Sequence, residues 1–208
     1  MSASRRVLLV RHAQTAWNAE GRWQGQHDVP LSDRGREQAR ALARRLEGEG
    51  LALVVSSSLG RARETAEIVS GGRAPSLDPA LVEISYGAWE GVRDVDVHER
   101  WPALRGQWGA APDAIRLPEG ESLADVDARA WPAFLRWLDA AEGDVLVVAH
   151  GGVNRVLLAR VLGLPLSRFW RISQDPTAVN VIEMDAGSAA EALPLARVRL
   201  LNCTAHLR

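Results

Sequence analysis

Val7-Leu8-Leu9-Val10-Arg11-His12-Ala13 and Val145-Leu146-Val147-Val148-Ala149-His150-Gly151-Gly152 share one plan: a short aliphatic run, a histidine at its end, then small residues. A run of four or five β-branched and aliphatic residues leading into a helical pattern reads as a buried parallel strand feeding a βα turn. Open α/β sheets bind their ligands at the carboxyl ends of such strands. Two imidazoles delivered to one sheet edge, with Arg11 beside the first and a glycine pair beside the second, point to phosphate chemistry.

Outward from these two strands, helices and strands alternate. Gln14 to Pro30 reads as a loop, after which Ser32 caps a predicted helix whose Ala39, Leu42, Ala43 and Leu46 share one face and which ends at Gly48 and Gly50. Leu53-Val54-Val55-Ser56 is a second strand, leading through Ser57 and Ser58 into a helix from Gly60 that closes at Gly71-Gly72. Residues 87–120 lack clean periodicity and read as an irregular excursion over the sheet, the usual form of a lid or substrate loop. Ser122 with Asp125 forms a capping box for a helix through Leu138, which Pro132 is expected to kink or restart. A helix over about Val153–Leu162 follows the 145–149 strand, and 179–184 and 196–200 alternate like closing or edge strands. The expected fold is α/β: a three-layer α/β/α sandwich with a mostly parallel central sheet and an antiparallel edge strand, with residues 1–208 as a single domain.

Composition narrows the function. At 208 residues, 47% hydrophobic and 25% charged, the chain suits one substantial core. A net charge of -1 supplies no field for holding nucleic acid or an anionic membrane, so neither is an expected partner and any anion must meet a local cluster. Cys203 stands alone, without a partner for an intramolecular disulfide or a cysteine pair for zinc, which fits a reducing cytoplasm. Arg5-Arg6 precedes only four apolar residues before Arg11, too few for a signal peptide. All 25 basic side chains are arginine. Without lysine there is no Schiff base and no P-loop cradle, whereas the arginine fork suits bidentate phosphate recognition.

His12 can act as nucleophile or general base, and Arg11 beside it favours the neutral ring that attack requires. Read alone, it is more often a strand-end histidine bonded to backbone. Arg61, opening the helix after the second strand, can clamp phosphate oxygens or simply be solvated. His150 with Gly151-Gly152 offers a second imidazole and close backbone approach to an anion, or only a tight turn. Asp94-Val95-Asp96-Val97 imitates an aspartyl-nucleophile signature but lacks an apolar strand to position it, and Cys203 to Arg208 is one residue short of a cysteine-phosphatase loop.

Arg11-His12-Ala13-Gln14-Thr15 with Asn18 resembles the Arg-His-Gly/Ala-x-Thr motif of the histidine phosphatase superfamily, the phosphoglycerate mutase-like proteins. Gln24-Gly25, Asp28, Pro30-Leu31, Gly35 and Gln38-Ala39 continue the pattern, as do residues 57–66, Glu83 with 87–91, Gly120-Glu121-Ser122 and residues 149–152. The resemblance implies that His12 accepts the phosphoryl group as a phosphohistidine, and that Arg11, Asn18, Arg61, His150 and Gly151 surround it. It also implies that Glu83 serves as general acid and then base, that His150 assists catalysis, and that no metal or cofactor takes part. Gly87-Ala88-Trp89-Glu90-Gly91-Val92-Arg93-Asp94 departs from the Gly-x-Leu-x-Gly-Leu-Asn-Lys of cofactor-dependent mutases. Trp89-Glu90-Gly91 and Pro118–Ser122 resemble the small phosphatase branch, which includes broad-specificity and α-ribazole phosphatases.

The expected activity is therefore hydrolysis of a small phosphomonoester, ahead of phosphoglycerate mutase and of a catalytically silent phosphate-binding scaffold. Substrate contacts are expected from Gln24 and Gly25 in the loop from Asn18 to His27. Trp101 and Trp108 in the 87–120 excursion offer an apolar wall, or equally core packing. A homodimer paired through an edge strand near 179–184 stays open.

Overall fold

The aliphatic runs at 7–10 and 145–148 lie side by side at the centre of one sheet. The structure is a computed structural model describing residues 4–185, 189 and 196–208. Strands β1 (Ser4–Arg11), β2 (Leu51–Ser57), β3 (Ser76–Asp78), β4 (Asp144–Ala149), β5 (Val179–Asp185) and β6 (Arg197–Cys203) run in the order β3-β2-β4-β1-β5-β6. The first four are mutually parallel, and β5 is antiparallel to both β1 and β6. Alternate residues of the central strands enter two different cores. Val7, Leu9, Val145 and Val147 pack in the core that holds α6 (Leu123–Asp139) and α7 (Gly151–Val161). Leu8, Val10, Leu146 and Val148 pack with α2 (Asp33–Arg45) and α3 (Gly60–Val69) on the other face. Burial on both faces is why these strands show no polar alternation. Leu9 is fully buried, so Leu9→Ala should cost about 2–5 kcal/mol.

Caps set the helix starts. Ser32 Oγ accepts from Gly35 N, and Ser122 and Asp125 form a reciprocal capping box. α6 nevertheless runs unbroken through Pro132. Pro132 and Ala128 are both exposed, so the carbonyl deprived of its amide partner lies on the solvated side, where water can satisfy it.

Four other regions depart from expectation. The 14–30 loop contains a single turn, α1 (Ala16–Ala19), capped by Thr15. β3 is only three residues long, too short to show a period. Residues 87–120 are mostly ordered into α4 (Asp94–Arg100) and α5 (Pro102–Ala110), flanked by 3-10 turns at Gly87–Trp89 and Pro112–Ala114. Two-turn helices interrupted by Pro102 and Pro112 never complete the repeats that would reveal them. Finally, 179–184 is not an edge: β6 pairs with it, so dimerisation through that strand has no free ladder to use. Among the described residues no helix is long and apolar enough to cross a membrane.

Candidate active site

The register Arg11↔Ala149 places the ends of β1 and β4 level, and His12 N extends the ladder by donating to Ala149 O at 2.9 Å. The two imidazoles leave their strands as neighbours, with ring centroids 5.1 Å apart. His12 Nδ1 lies 2.7 Å from Ala13 O, so the carbonyl holds the proton on Nδ1 and leaves the lone pair on Nε2. Arg61 Nε donates towards that Nε2 at 3.3 Å. Burial first, then Arg61 and Arg11, hold the His12 pKa well below the usual imidazole value. His12 is thus a neutral ring of defined tautomer with its free nitrogen turned to a guanidinium.

Arg61 is itself buried and fixed, donating to His27 O at 2.6 Å and Gly25 O at 2.7 Å. His150 is fully buried, shares a 2.8 Å hydrogen bond through Nε2 with Ser57 Oγ, and is also held neutral, chiefly by burial and then by Arg61. Arg11 donates through Nη1 to Gln174 O at 2.5 Å, while burial and Arg155 lower its pKa to about 10. Arg11 Nε and His150 Nδ1 are buried without a hydrogen-bond partner among the described residues. A bound phosphoryl oxygen would satisfy such groups, whose burial alone costs free energy.

Glu83 reaches this floor from the segment after β3. Its carboxylate accepts from Ile84 N at 2.9 Å, Gly152 N at 3.1 Å and Val153 N at 3.2 Å, the last two being free amides at the start of α7. Gly152 makes room for the acid: a Cβ would stand 2.5 Å from both Glu83 Oε1 and Ile84 Cδ1 and would force those side-chain ends to shift. Arg129 of α6 clamps the backbone behind the acid, donating to Ala80 O, Val82 O and Glu83 O, while pairing with Glu121, which in turn accepts from Ser85 N.

One cavity of about 310 Å³ gathers Arg11, His12, Asn18, Gln24, Gly25, Arg61, Glu83 and Gly151. Asn18 Oδ1 is occupied by Thr15 N, and Gln24 Oε1 by Thr15 Oγ, so both amides are oriented by the α1 cap. His150, its ring against that of His12, is fully buried and does not line this cavity. The two tryptophans expected as substrate contacts lie elsewhere. Trp108 is fully buried in an aromatic cluster with Tyr86, Trp89, Phe169 and Trp170, and Trp101 is half-buried against the same core. Neither lines the cavity, because the α4–α5 pair turns them inwards to close its own hydrophobic layer. The outer wall is instead Arg22, Trp23, Tyr86, Asp94, Arg105, Arg155 and Trp170. These residues come from separate stretches of the chain, and no local spacing marks them. Asp94 accepts from Arg105 at 2.8 Å and Trp23 Nε1 at 3.1 Å, a wall contact remote in character from a nucleophile.

Residues 7–193 match the histidine phosphatase superfamily (branch 1). Phosphoserine phosphatase 1 of Hydrogenobacter thermophilus is 34% identical over 206 residues, 97% of this chain and 94% of its own. A probable phosphoglycerate mutase, GpmB, of Cronobacter sakazakii is 39% identical over 163 residues, 76% of this chain and 75% of its own. The solved structure of a putative alpha-ribazole-5'-P phosphatase from Escherichia coli superposes with a TM-score of 0.83 at 29% identity, covering 97% of this chain and 98% of that one. The chain belongs to the histidine phosphatase superfamily, branch 1.

Proposed function

We propose that the chain is a phosphomonoester phosphatase acting through a phosphohistidine on a small metabolite of the cytoplasm. The observation that carries this reading is the His12 ring: neutral, with Nδ1–H held on Ala13 O and the Nε2 lone pair directed at the Arg61 guanidinium. In the first step Nε2 attacks phosphorus in line, the bond to the ester oxygen breaks, and protonated Glu83 gives its proton to the departing alkoxide. Ala13 O supports the positive charge that develops on the ring. Arg11, Arg61, Asn18 and His150 stabilise the charge spread over the transferring oxygens, work done elsewhere by metal ions. In the second step Glu83 takes a proton from water, the water oxygen bonds to phosphorus, and the P–N electron pair returns to His12. The α7 amides of Gly152 and Val153 hold the Glu83 carboxyl group in place at the cavity.

Hydrolysis of p-nitrophenyl phosphate with excess chelator tests the reading. Activity in the native protein that disappears in His12→Ala supports it. No native activity sinks the phosphatase, chelator-sensitive activity sinks the metal-free mechanism, and activity surviving His12→Ala removes the nucleophile. The likeness to a probable phosphoglycerate mutase favours one second reading, phosphoryl return to a different hydroxyl. With 3-phosphoglycerate, formation of the 2-phospho isomer faster than free phosphate would decide for the mutase.

A further inference from the structure

From the outer wall of the cavity we infer that Arg155 is a specificity-determining residue that grips a carboxylate on the leaving group, making the substrate class the phosphomonoesters of small hydroxy acids; this rests on the phosphatase reading above. Arg155 projects from α7 into the cavity and has no carboxylate within ion-pairing distance among the described residues. The other two arginines of the outer wall are already neutralised or tied: Arg105 pairs with Asp94, and Arg22 pairs with Glu20 and donates to Gly91 O. Arg155 is instead braced for a ligand. Its Nε donates to Ile172 O at 2.7 Å, and its guanidinium stacks 5.4 Å from the Phe169 ring centroid and 5.2 Å from that of Trp170. A fork held by its Nε and two rings keeps its terminal nitrogens pre-organised for a planar anion.

Its position assigns the anion to the leaving group. Arg155 Nη1 and Arg11 Nε both lie within 3.3 Å of the point a Cβ on Gly151 would occupy, so two guanidinium groups converge where the strand end meets α7. Arg11, Arg61 and Asn18 already line the cavity beside His12, where the phosphoryl group is proposed to sit, and His150 packs against the His12 ring. Arg155 adds a further positive charge to the cavity that Glu83 and Tyr86 also line. Glu83 is the proposed proton donor to the ester oxygen, so an anion held beside it sits on the leaving group. A second anion also offsets the mutual repulsion of Arg11 and Arg155.

The test compares 3-phosphoglycerate with glycerol 3-phosphate, which differ by a carboxylate in place of a hydroxymethyl group. Both are titrated calorimetrically into His12→Ala protein, which on this reading does not turn them over, with residue 155 as Arg, Met or Gln. With Arg155 the carboxylate ligand should bind at least tenfold more tightly. In the Met and Gln variants the gap should shrink to threefold or less, and Gln, which keeps a donor for Ile172 O, guards against a folding defect in Met. No gap with Arg155 present, or a gap that survives both substitutions because the two ligands weaken equally, overturns the assignment. Phosphate release from p-nitrophenyl phosphate by the native protein is scored separately, so a failure of the phosphatase reading leaves the binding comparison intact.

Discussion

The floor and the outer wall of the cavity are built by different means. The floor is backbone architecture: His12 and His150 are consecutive with paired strands, and Arg61 and Gly151 open helices that follow strands directly. The wall is side-chain architecture, with Trp23, Tyr86, Asp94, Arg105 and Trp170 brought together by edge-on ring contacts and a Trp23–Asp94 hydrogen bond between segments far apart in sequence, and by an ion pair between the neighbouring helices α4 and α5. Chemistry common to a superfamily can reside in the floor, because a sheet edge repositions little when loops change. Discrimination between leaving groups falls to the wall.

The contrast can be broken from the floor first. His12→Ala should lower hydrolysis by about 10⁴-fold or more and abolish the covalent intermediate, whereas His150→Ala should slow intermediate formation while an acceptor remains. Rapid-quench measurements of both variants separate the two; equal loss of the intermediate in both would erase the distinction between acceptor and clamp. Glu83→Gln should cost about 10²–10⁴-fold with an alkyl phosphate and clearly less with p-nitrophenyl phosphate, whose leaving group needs little protonation. Gly152→Ala, which drives a methyl into Glu83 Oε1, should show the same leaving-group dependence in milder form while every proposed catalytic side chain is kept. A uniform loss across leaving groups in either variant would take the acid role from Glu83.

The wall should respond differently. Arg105→Gln frees Asp94 and loosens the contact with Trp23, so KM should rise severalfold while kcat for p-nitrophenyl phosphate changes little. A fall in kcat matching that of Glu83→Gln would make the wall part of the chemistry.

The smallest effect is in pH. The folded pKa values of His12 and His150 are depressed, so between those values and the ordinary value near 6.5 the unfolded chain binds more protons than the folded one. Their contribution to stability is complete above about pH 6.5 and declines as pH falls below it. Thermal midpoints should therefore decrease from pH 7 to pH 5, and less steeply in the doubly substituted protein with both histidines replaced by Gln. Because the His12 lone pair persists below about pH 6.5, kcat/KM should not show an acid limb at the usual imidazole value. Such a limb would mean that burial does not keep the ring neutral.

The same contrast explains what could be read from the chain alone. The aliphatic runs marked β1 and β4 because both faces are buried, and the histidines ending them identified the floor before any contact was known. The caps at Ser32 and Ser122 were equally legible, since capping is chemistry between residues three apart. Glu83 was reached only through resemblance: what makes it special is its bonds to Gly152 and Val153 amides about 70 residues away. Trp108 was misplaced for the converse reason. A tryptophan in a stretch without periodicity suits a cavity wall or a core equally, and only the packing of α5 against Tyr86, Phe169 and Trp170 decides for the core. Arg155 lies two residues beyond the α7 amides that hold Glu83, yet its partner Ile172 and its stacking rings come from the next segment, which no motif linked to the site.

The central claim is that His12 Nε2 takes the phosphoryl group. Native protein mixed with p-nitrophenyl phosphate, quenched in alkali within milliseconds and digested for mass spectrometry, tests it directly. The account predicts one phosphate on the peptide containing His12, formed and lost fast enough to carry turnover. Turnover without phosphorylation of that peptide, or with the phosphate on His150, would contradict it.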